Sequence, residues 1–323
     1  MSQSIITRFA PSPSGDLHVG HAYSAWLIEQ FVQSNRALGL AVAEPLLRWE
    51  DIDHTRCSVE SEQSIIEDLE WLGFSYNQSQ PCLRQSERLA IYAQALEALK
   101  DQGVVYPCFC TRKEIKQALE EYDNAQAQEV DSILNAPHTL HREAYPGTCK
   151  HLSEEQRREL LASDKAYSWR IDSKKIREQL ENQGLELSFN DLTQDDVTAV
   201  NWDLIEDTVI ARKDVATSYH LAVIIDDDAQ GVTHAIRGED LRETTHLHRV
   251  LQELLNLSTP TYIHHPLLYN DAGKRLSKRD QSTTIKQLKS QYATAAELLQ
   301  AQLLKYQQNW QSLTSICKQS ITG

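Results

Sequence analysis

Apolar residues in the first hundred positions follow two different spacings. Residues 5–9 and 46–50 are short runs rich in apolar side chains, which is typical of strands. In residues 22–33, 58–73 and 85–103 the apolar side chains recur every three or four positions, which predicts amphipathic helices. Because strands that alternate with helices form a parallel sheet covered by helices, this part of the chain predicts an α/β domain with a Rossmann-type parallel sheet.

The middle of the chain has a different character. Residues 113–136 are polar with helical spacing, and the sequence stays rich in Asp, Glu, Lys and Gln as far as residue 194, so we expect an inserted domain. Apolar runs then return, and we predict strands at 208–212, 219–226 and 233–238 and a helix at 241–255. The run 219–226 is apolar almost throughout, which favours a strand buried on both faces.

The chain has 323 residues, more than a single hydrophobic core usually supports. We predict that an insertion at 107–195 splits a catalytic domain into a first half at 1–106 and a second half at 196–260. Residues 261–323 follow as a short helical segment that contains a basic loop.

Composition limits the class of protein. Hydrophobic residues make up 41% and charged residues 24%, so the chain can build a core and is not disordered. The net charge of −14 argues against indiscriminate binding to polyanions, but residues 271–290 carry six basic and only two acidic side chains and could contact an RNA backbone. The sequence has no long apolar run and no signal-like N-terminus, so we expect a cytoplasmic enzyme that does not bind membranes and is a monomer.

Two short motifs indicate that the protein handles phosphate groups. His18-Val-Gly20-His21 follows the Pro- and Ser-rich loop 10–15 and precedes a predicted helix, so free backbone N–H groups at the helix start would face an anion. Arg275-Leu-Ser277-Lys278-Arg279 places basic side chains beside a serine in a loop that could hold a polyphosphate.

These motifs occur in a fixed order with four others over residues 5–280. The set comprises 8–21, 47–53 with Arg56, 85–88, Tyr219 with 222–227, 236–240 and 275–279. It resembles the catalytic half of the class I glutamyl-tRNA synthetases. The resemblance implies their fold, in which a parallel sheet is split by a zinc-bearing domain on the acceptor side. It also implies their reaction, in which the α-carboxylate of L-glutamate attacks the α-phosphorus of ATP. Mg²⁺ is the expected counterion of the ATP.

The resemblance also implies roles for individual residues. His18, His21 and Lys278 would be catalytic, and Gly20 and Ser277 would join them in binding ATP. A glutamate pocket needs guanidinium groups for carboxylates and an acidic group for the amine. The implied pocket consists of Arg8, Phe9, Ala10, Pro11, Ser12, Glu50, Tyr219 and Arg237, with Glu50 on the amine and Tyr219 donating its hydroxyl.

One departure from the family pattern bears on the acceptor. Only about 44 residues follow Arg279, whereas an enzyme that reads tRNA(Glu) carries a large anticodon-binding region there. The short form resembles the glutamyl-queuosine tRNA(Asp) synthetases, which activate glutamate without tRNA and attach it to the queuosine base of tRNA(Asp). The alternatives are charging of the 3′ end of tRNA(Glu), nucleotidyl transfer to another acceptor, and a non-catalytic RNA-binding relative.

Clustered cysteines predict a structural metal site. Cys108-Phe-Cys110 brings two thiols together, and in a reducing compartment such pairs more often bind metal than form disulfides. The family pattern adds a Tyr-x-x-x-Cys, matched by Tyr145 and Cys149, so the resemblance implies one Zn²⁺ held by these four residues. From the residues alone the fourth ligand is open between Tyr145 and the nearby histidines His138, His141 and His151.

Overall fold

The structure is a computed structural model that describes residues 4–79, 81–122, 145–194, 197–268, 284–298 and 301. The basic loop with Ser277 and Lys278 lies outside the described residues, as do His138 and His141.

The strands are β1 Arg8–Phe9, β2 Leu46–Trp49, β3 Leu83–Arg84, β4 Val105–Cys108, β5 Ser168–Ile171, β6 Ser188–Phe189, β7 Thr198–Ala199, β8 Val209–Ala211, β9 His234–Gly238 and β10 Thr261–His265. The α-helices are α1 Val19–Ala37, α2 Val59–Trp71, α3 Leu89–Asp101, α4 Arg112–Tyr122, α5 Glu154–Ala162, α6 Ser173–Asn182, α7 Tyr219–Ala229, α8 Thr244–Leu254, α9 Ile285–Leu288 and α10 Ala295–Leu298. Short 3₁₀ helices occupy Gln85–Glu87, Trp202–Leu204 and Glu239–Leu241.

Two parallel sheets form the catalytic half. β1, β2 and β3 make one sheet in that order, and β9 pairs with β10 in the other. The backbone N–H groups of Thr233 and His234 donate to the carbonyl of Ile6 at 2.9 and 3.1 Å, which joins the two sheets edge to edge. The carboxyl ends of β1, β2, β9 and β10 therefore lie along one edge, where parallel α/β sheets bind ligands. The prediction of a parallel α/β fold is confirmed.

The inserted region builds a different sheet. β4, β5 and β8 pair antiparallel, and β6 and β7 form a separate antiparallel pair. β8 comes from residues 209–211, so the antiparallel sheet draws on both sides of residue 196. The division into these four segments remains a prediction.

Most predicted helices are present. The segment 22–33 lies within α1, and 58–73 contains α2, where the Ser58 hydroxyl accepts from the Ser61 N–H at 3.2 Å as an N-cap. The segment 85–103 forms a 3₁₀ turn followed by α3, and 241–255 contains α8. Among the helices that the structure describes, none has the length and apolarity that a membrane span requires.

The predicted strand at 219–226 is wrong, because these residues form the first turns of α7. All residues from His220 to Asp227 are buried, and a segment buried on every side has no polar face from which a period of 3.6 could be distinguished from a strand. The helical form places Asp226 and Asp227 next to each other in the interior. Asp226 accepts from Gln85, Arg88 and Tyr92, which ties α7 to α3.

Candidate active site

The two histidines of the first motif cap the start of α1. His18 is the N-cap residue, and its Nδ1 accepts from the Gly20 N–H at 3.0 Å. His21 Nδ1 accepts from the His18 N–H at 3.3 Å, and the two rings stack with centroids 3.8 Å apart. A neutral imidazole whose Nδ1 accepts carries its hydrogen on Nε2. The helix start therefore presents two Nε2–H donors side by side, together with the positive end of the helix dipole.

The chain returns to this helix start after the basic loop. Thr284 forms a β-bridge with His18, and the Ile285 N–H donates to the Leu17 carbonyl at 2.8 Å. Thr284 lies six positions after Lys278 in the sequence. The structure thus places Thr284 and Ile285 beside the histidine motif, and Ser277 and Lys278 lie outside the described residues.

The carboxylate of Asp227 on α7 binds two buried arginines from neighbouring strands. Arg8 Nε and Nη2 donate to its two oxygens at 3.0 and 3.3 Å, and Arg48 Nη1 donates at 2.7 Å. Burial on its own would raise the pKa of Asp227, but the two guanidiniums outweigh it and hold the pKa below the ordinary value. Arg8 also donates to the Ile236 carbonyl on β9, so its guanidinium spans the seam between the two sheets.

Glu50 lies at the carboxyl end of β2, beside this pair of arginines. Its carboxylate is 3.4 Å from Arg48 Nη2, and its backbone N–H donates to the Pro11 carbonyl at 3.1 Å. Burial raises the pKa of Glu50, and Arg48 and Arg8 offset only part of that rise. A nearby cation would therefore stabilise the ionised form of the Glu50 carboxylate.

The first loop brings its residues over the end of β2. Phe9 is buried against the ring of Phe74, and Pro11 is buried where its carbonyl meets Glu50. Ala10 is partly buried, and Ser12 is exposed with its hydroxyl 3.7 Å from the Cys57 sulfur.

Arg237 on β9 is held by neutral partners. Its Nε donates to His264 Nε2 at 3.2 Å, its Nη1 contacts His248 Nδ1 at 3.1 Å, and its Nη2 donates to the Thr245 hydroxyl at 2.6 Å. The guanidinium also lies 4.8 Å from the ring centroid of Tyr262. Burial lowers the pKa of both histidines, that of His264 to about 4, so both rings are neutral near pH 7.

Tyr219 joins the arginines and Glu50 in one cluster. Burial raises the pKa of its hydroxyl to about 12, while the charges of Arg237 and Arg8 act in the opposite direction and that of Glu50 in the same direction. The structure therefore brings together Arg8, Glu50, Tyr219 and Arg237, which lie on β1, after β2, on α7 and on β9.

A second group of predicted residues meets at the end of β4. The sulfurs of Cys108, Cys110 and Cys149 all lie within 4.8 Å of one another. The Tyr145 hydroxyl lies 3.7 Å from the Cys110 sulfur. Sulfurs that share a tetrahedral Zn²⁺ at 2.3 Å are roughly 3.8 Å apart, so the three thiols fit such an ion. Hydrogen bonds from Cys110 and Cys149 lower the pKa of the Cys108 thiol, which favours the thiolate that a metal needs.

Among the described residues no histidine joins this cluster, although His151 lies nearby in the sequence. The Tyr145 hydroxyl accepts from the Cys149 N–H at 2.8 Å and lies beside the sulfurs. The geometry favours Tyr145 over His151 as the fourth member of the group.

Comparison with known proteins identifies the family. A family model described as tRNA synthetases class I (E and Q), catalytic domain, matches residues 4–319. The chain belongs to this class I tRNA synthetase family.

Individual relatives of the synthetase have two kinds of name. The present chain is 38% identical to the glutamyl-Q tRNA(Asp) synthetase of Rhodobacter capsulatus. The alignment covers 91% of this chain and 98% of that protein. The chain is 34% identical to the glutamate–tRNA ligase of a Hydrogenobaculum strain, of which it covers 53%. A crystal structure of the glutamate tRNA ligase of Elizabethkingia meningosepticum with its amino acid superposes with a TM-score of 0.63 at 28% identity, covering 86% of this chain and 52% of that one.

Sequence reasoning did not assign a site role to Arg48 or Asp227. Arg48 stands within the apolar run of β2, and Asp227 follows the apolar stretch of α7 directly after Asp226. A charged residue in such a run must have a buried partner, and that signal could have paired them.

We expect Asp227→Asn to destabilise the synthetase by about 3–5 kcal/mol, because it leaves the buried guanidiniums of Arg8 and Arg48 without an anionic partner. Chemical denaturation of both proteins measures this difference. Asp228→Asn is the matched control, because the Asp228 carboxylate accepts from the peripheral Ser258 and from no arginine among the described residues.

The same variant has a defined pH dependence. The pKa of Asp227 is lower in the folded than in the unfolded chain, so its stabilisation is complete above the unfolded pKa and is lost as the pH falls through the folded one. The stability gap between wild type and Asp227→Asn should stay constant above about pH 5 and shrink below about pH 4. A gap that is the same at about pH 3 as at pH 7 would contradict this ion-pair assignment.

Proposed function

We propose that the synthetase activates L-glutamate with ATP in the absence of tRNA and transfers the glutamyl group to the queuosine base of tRNA(Asp). Activation is an ATP-dependent ligase reaction, as the family implies. The acceptor is supported by relatives named glutamyl-Q tRNA(Asp) synthetase, of which the chain covers 98%, 83% and 77%.

The observation that carries this proposal is the charge of the buried cluster at the sheet edge. Arg8, Arg48 and Arg237 supply three positive charges, and Asp227 and Glu50 supply two negative ones. Free glutamate has two carboxylates and one ammonium group, and therefore a net charge of −1. The cluster and the amino acid are complementary both in net charge and in the kinds of group that they offer each other.

Within this pocket each group has one role. Glu50 binds the substrate ammonium group, which lowers the cost of keeping its own half-buried carboxylate ionised. Arg237 has used four of its five N–H groups on protein partners, namely His264, His248, Thr245 and the Leu241 carbonyl, and the fifth, on Nη1, is directed to a substrate carboxylate. Arg8 and the Tyr219 hydroxyl contribute the remaining donors.

The adenylation step takes place beside the start of α1. An oxygen of the glutamate α-carboxylate attacks the α-phosphorus of ATP and forms a bond to it. The bond from the α-phosphorus to the oxygen that bridges the α- and β-phosphates breaks, and pyrophosphate leaves with that oxygen and the electron pair. His18 and His21 donate their Nε2–H groups to phosphate oxygens, and the Gly20 position lets the backbone approach them closely. Lys278, with Ser277 before it, neutralises the departing pyrophosphate, and Mg²⁺ accompanies the ATP.

The histidine motif and the glutamate pocket meet through β10. His264 binds Arg237, and its neighbour His265 packs edge-on against the Tyr23 ring on α1, with ring centroids 5.4 Å apart. His265 Nε2 also lies 3.3 Å from the Ser24 hydroxyl. The carboxyl end of one strand therefore supports both substrates, which suits a reaction between a carboxylate and a phosphate.

The metal site has a structural role in this proposal. Cys108, Cys110, Cys149 and Tyr145 would hold one Zn²⁺, which when bound fixes the end of β4 and the turn at 145–149 in the inserted region.

A second candidate is the charging of tRNA(Glu) at its 3′ end. Relatives named glutamate–tRNA ligase favour it, but the chain spans only 53% and 57% of the length of two of them.

Glutamate-dependent exchange of pyrophosphate into ATP tests the proposed activation. We expect exchange with glutamate alone, without any tRNA, and none with aspartate or glutamine. Exchange that requires added tRNA(Glu) would contradict the proposal and support the second candidate.

Arg237→Lys should raise the KM for glutamate roughly 100-fold, because a single ammonium group cannot replace a planar fork that holds two histidines and a substrate carboxylate. The KM for ATP should stay within about two-fold of wild type, since the phosphates contact other residues. Arg249→Lys is the control, because Arg249 binds only the Ser188 carbonyl and Glu253. An unchanged KM for glutamate would remove Arg237 from the pocket.

Cys110→Ser should lower both the zinc content and the thermal stability of the purified protein, because a hydroxyl replaces one of the thiolates. Cys82→Ser should change neither the zinc content nor its response to a chelator, since Cys82 lies outside the cluster. Metal analysis of both variants beside the wild type measures the effect. A wild type that contains no zinc and gains no stability from added Zn²⁺ would contradict the assignment.

A further inference from the structure

Asp191, on the segment predicted as an insertion, is linked to Arg237 through one histidine. Asp191 follows β6 and is only 3% exposed, and its Oδ2 lies 2.7 Å from His264 Nδ1. The other nitrogen of the same ring, Nε2, accepts from Arg237 Nε at 3.2 Å. Asp191, His264 and Arg237 therefore form a continuous line of hydrogen bonds from the inserted region to the sheet edge.

The direction of each bond in this line is fixed by Arg237. A guanidinium has five N–H donors and no acceptor, so the His264 Nε2 that faces it must present a lone pair. The ring is neutral, so its one hydrogen is on Nδ1, where it donates to Asp191. The opposite tautomer would place an Nε2–H against the Arg237 Nε–H and repel the guanidinium.

Asp191 is itself held rigidly. Its Oδ1 accepts from the Thr193 N–H at 3.0 Å and from the Thr193 hydroxyl at 2.5 Å, whereas Oδ2 faces the histidine, with Arg242 Nε 3.7 Å away. The Leu192 N–H donates to the Tyr262 carbonyl at 2.9 Å, and the Tyr262 N–H donates to the Asn190 carbonyl at 2.8 Å. These bonds fasten the segment to β10, the strand that carries His264.

We propose that Asp191 and His264 are positioning residues that hold the Arg237 guanidinium in the orientation that binds a substrate carboxylate. This inference rests on the proposed role of Arg237 in the glutamate pocket. It assigns a function in amino acid recognition to a residue of the inserted region, which the sequence analysis associated only with the acceptor and with zinc.

Replacing the carboxylate tests the tautomer. In Asp191→Asn the amide can donate to His264 Nδ1, which allows the hydrogen to move to Nε2 and face Arg237. We expect the KM for glutamate in pyrophosphate exchange to rise about 10-fold or more, with kcat and the KM for ATP within about two-fold of wild type. Asp228→Asn is the matched control, because Asp228 Oδ1 accepts from the N–H and the hydroxyl of Ser258 in the same way, and within the described part of the chain its carboxylate has no hydrogen bond to Arg237 or His264.

A double-mutant cycle tests whether Asp191 acts through the ring. A glutamine at position 264 can offer its Oε1 to Arg237 without needing a carboxylate behind it. Asp191→Asn should therefore add less than about two-fold to the KM for glutamate when His264→Gln is already present. An Asp191→Asn effect of full size in that background, or no effect in either background, would overturn the proposal.

Two results separate this inference from its premises. If the wild type shows no glutamate-dependent exchange, the proposed function fails, whereas a normal wild type with an unaltered Asp191→Asn variant refutes only the positioning role. If Asp191→Asn does not fold, His264→Leu decides alone, because leucine offers Arg237 no acceptor: a raised KM for glutamate with a normal KM for ATP supports the role, and an unchanged KM for glutamate or an equal rise in both contradicts it.

Discussion

The architecture of the pocket depends on one buried ionic interaction, that of the Asp227 carboxylate with Arg8 and Arg48. The three side chains come from α7, β1 and β2, and Arg48 has no exposed surface at all. Burying a charge to this degree is costly unless hydrogen-bond partners satisfy it, and here the carboxylate also offsets the charge of the guanidiniums. The pairing uses both oxygens of Asp227 and N–H groups of both arginines. It therefore holds α7, β1 and β2 together and positions Glu50, which follows β2.

The second half of the pocket uses neutral partners for the same purpose. Arg237 is as buried as Arg8, but it rests on the nitrogens of His264 and His248, a threonine hydroxyl and a backbone carbonyl. Acceptors without charge satisfy the hydrogen bonds of a guanidinium and leave its positive charge uncompensated. The site therefore combines two arginines that share the carboxylate of Asp227 with a third, Arg237, whose hydrogen-bond partners are neutral, and under our proposal this third arginine binds a substrate carboxylate.

Local sequence features predicted much of this arrangement, and long-range pairing accounts for what they missed. The cap of α1 and the thiol pair at Cys108 and Cys110 each lie within four residues, so a short motif describes them. Asp227 and Arg48 are 179 positions apart, and Asp191 and His264 are 73 apart, so only the folded topology brings them together. The helix α7 was predicted as a strand because burial on all sides erased its polar face.

The most direct test of the proposed function is to determine which part of tRNA(Asp) carries the glutamate. Radiolabelled glutamate, ATP and tRNA(Asp) with or without queuosine would be incubated with the protein, and the RNA would then be cut at acidic pH into anticodon and 3′-terminal fragments. We expect label in the anticodon fragment alone, and no label when the tRNA lacks queuosine. Label in the 3′-terminal fragment, or equal labelling of tRNA(Asp) that lacks queuosine, would contradict it.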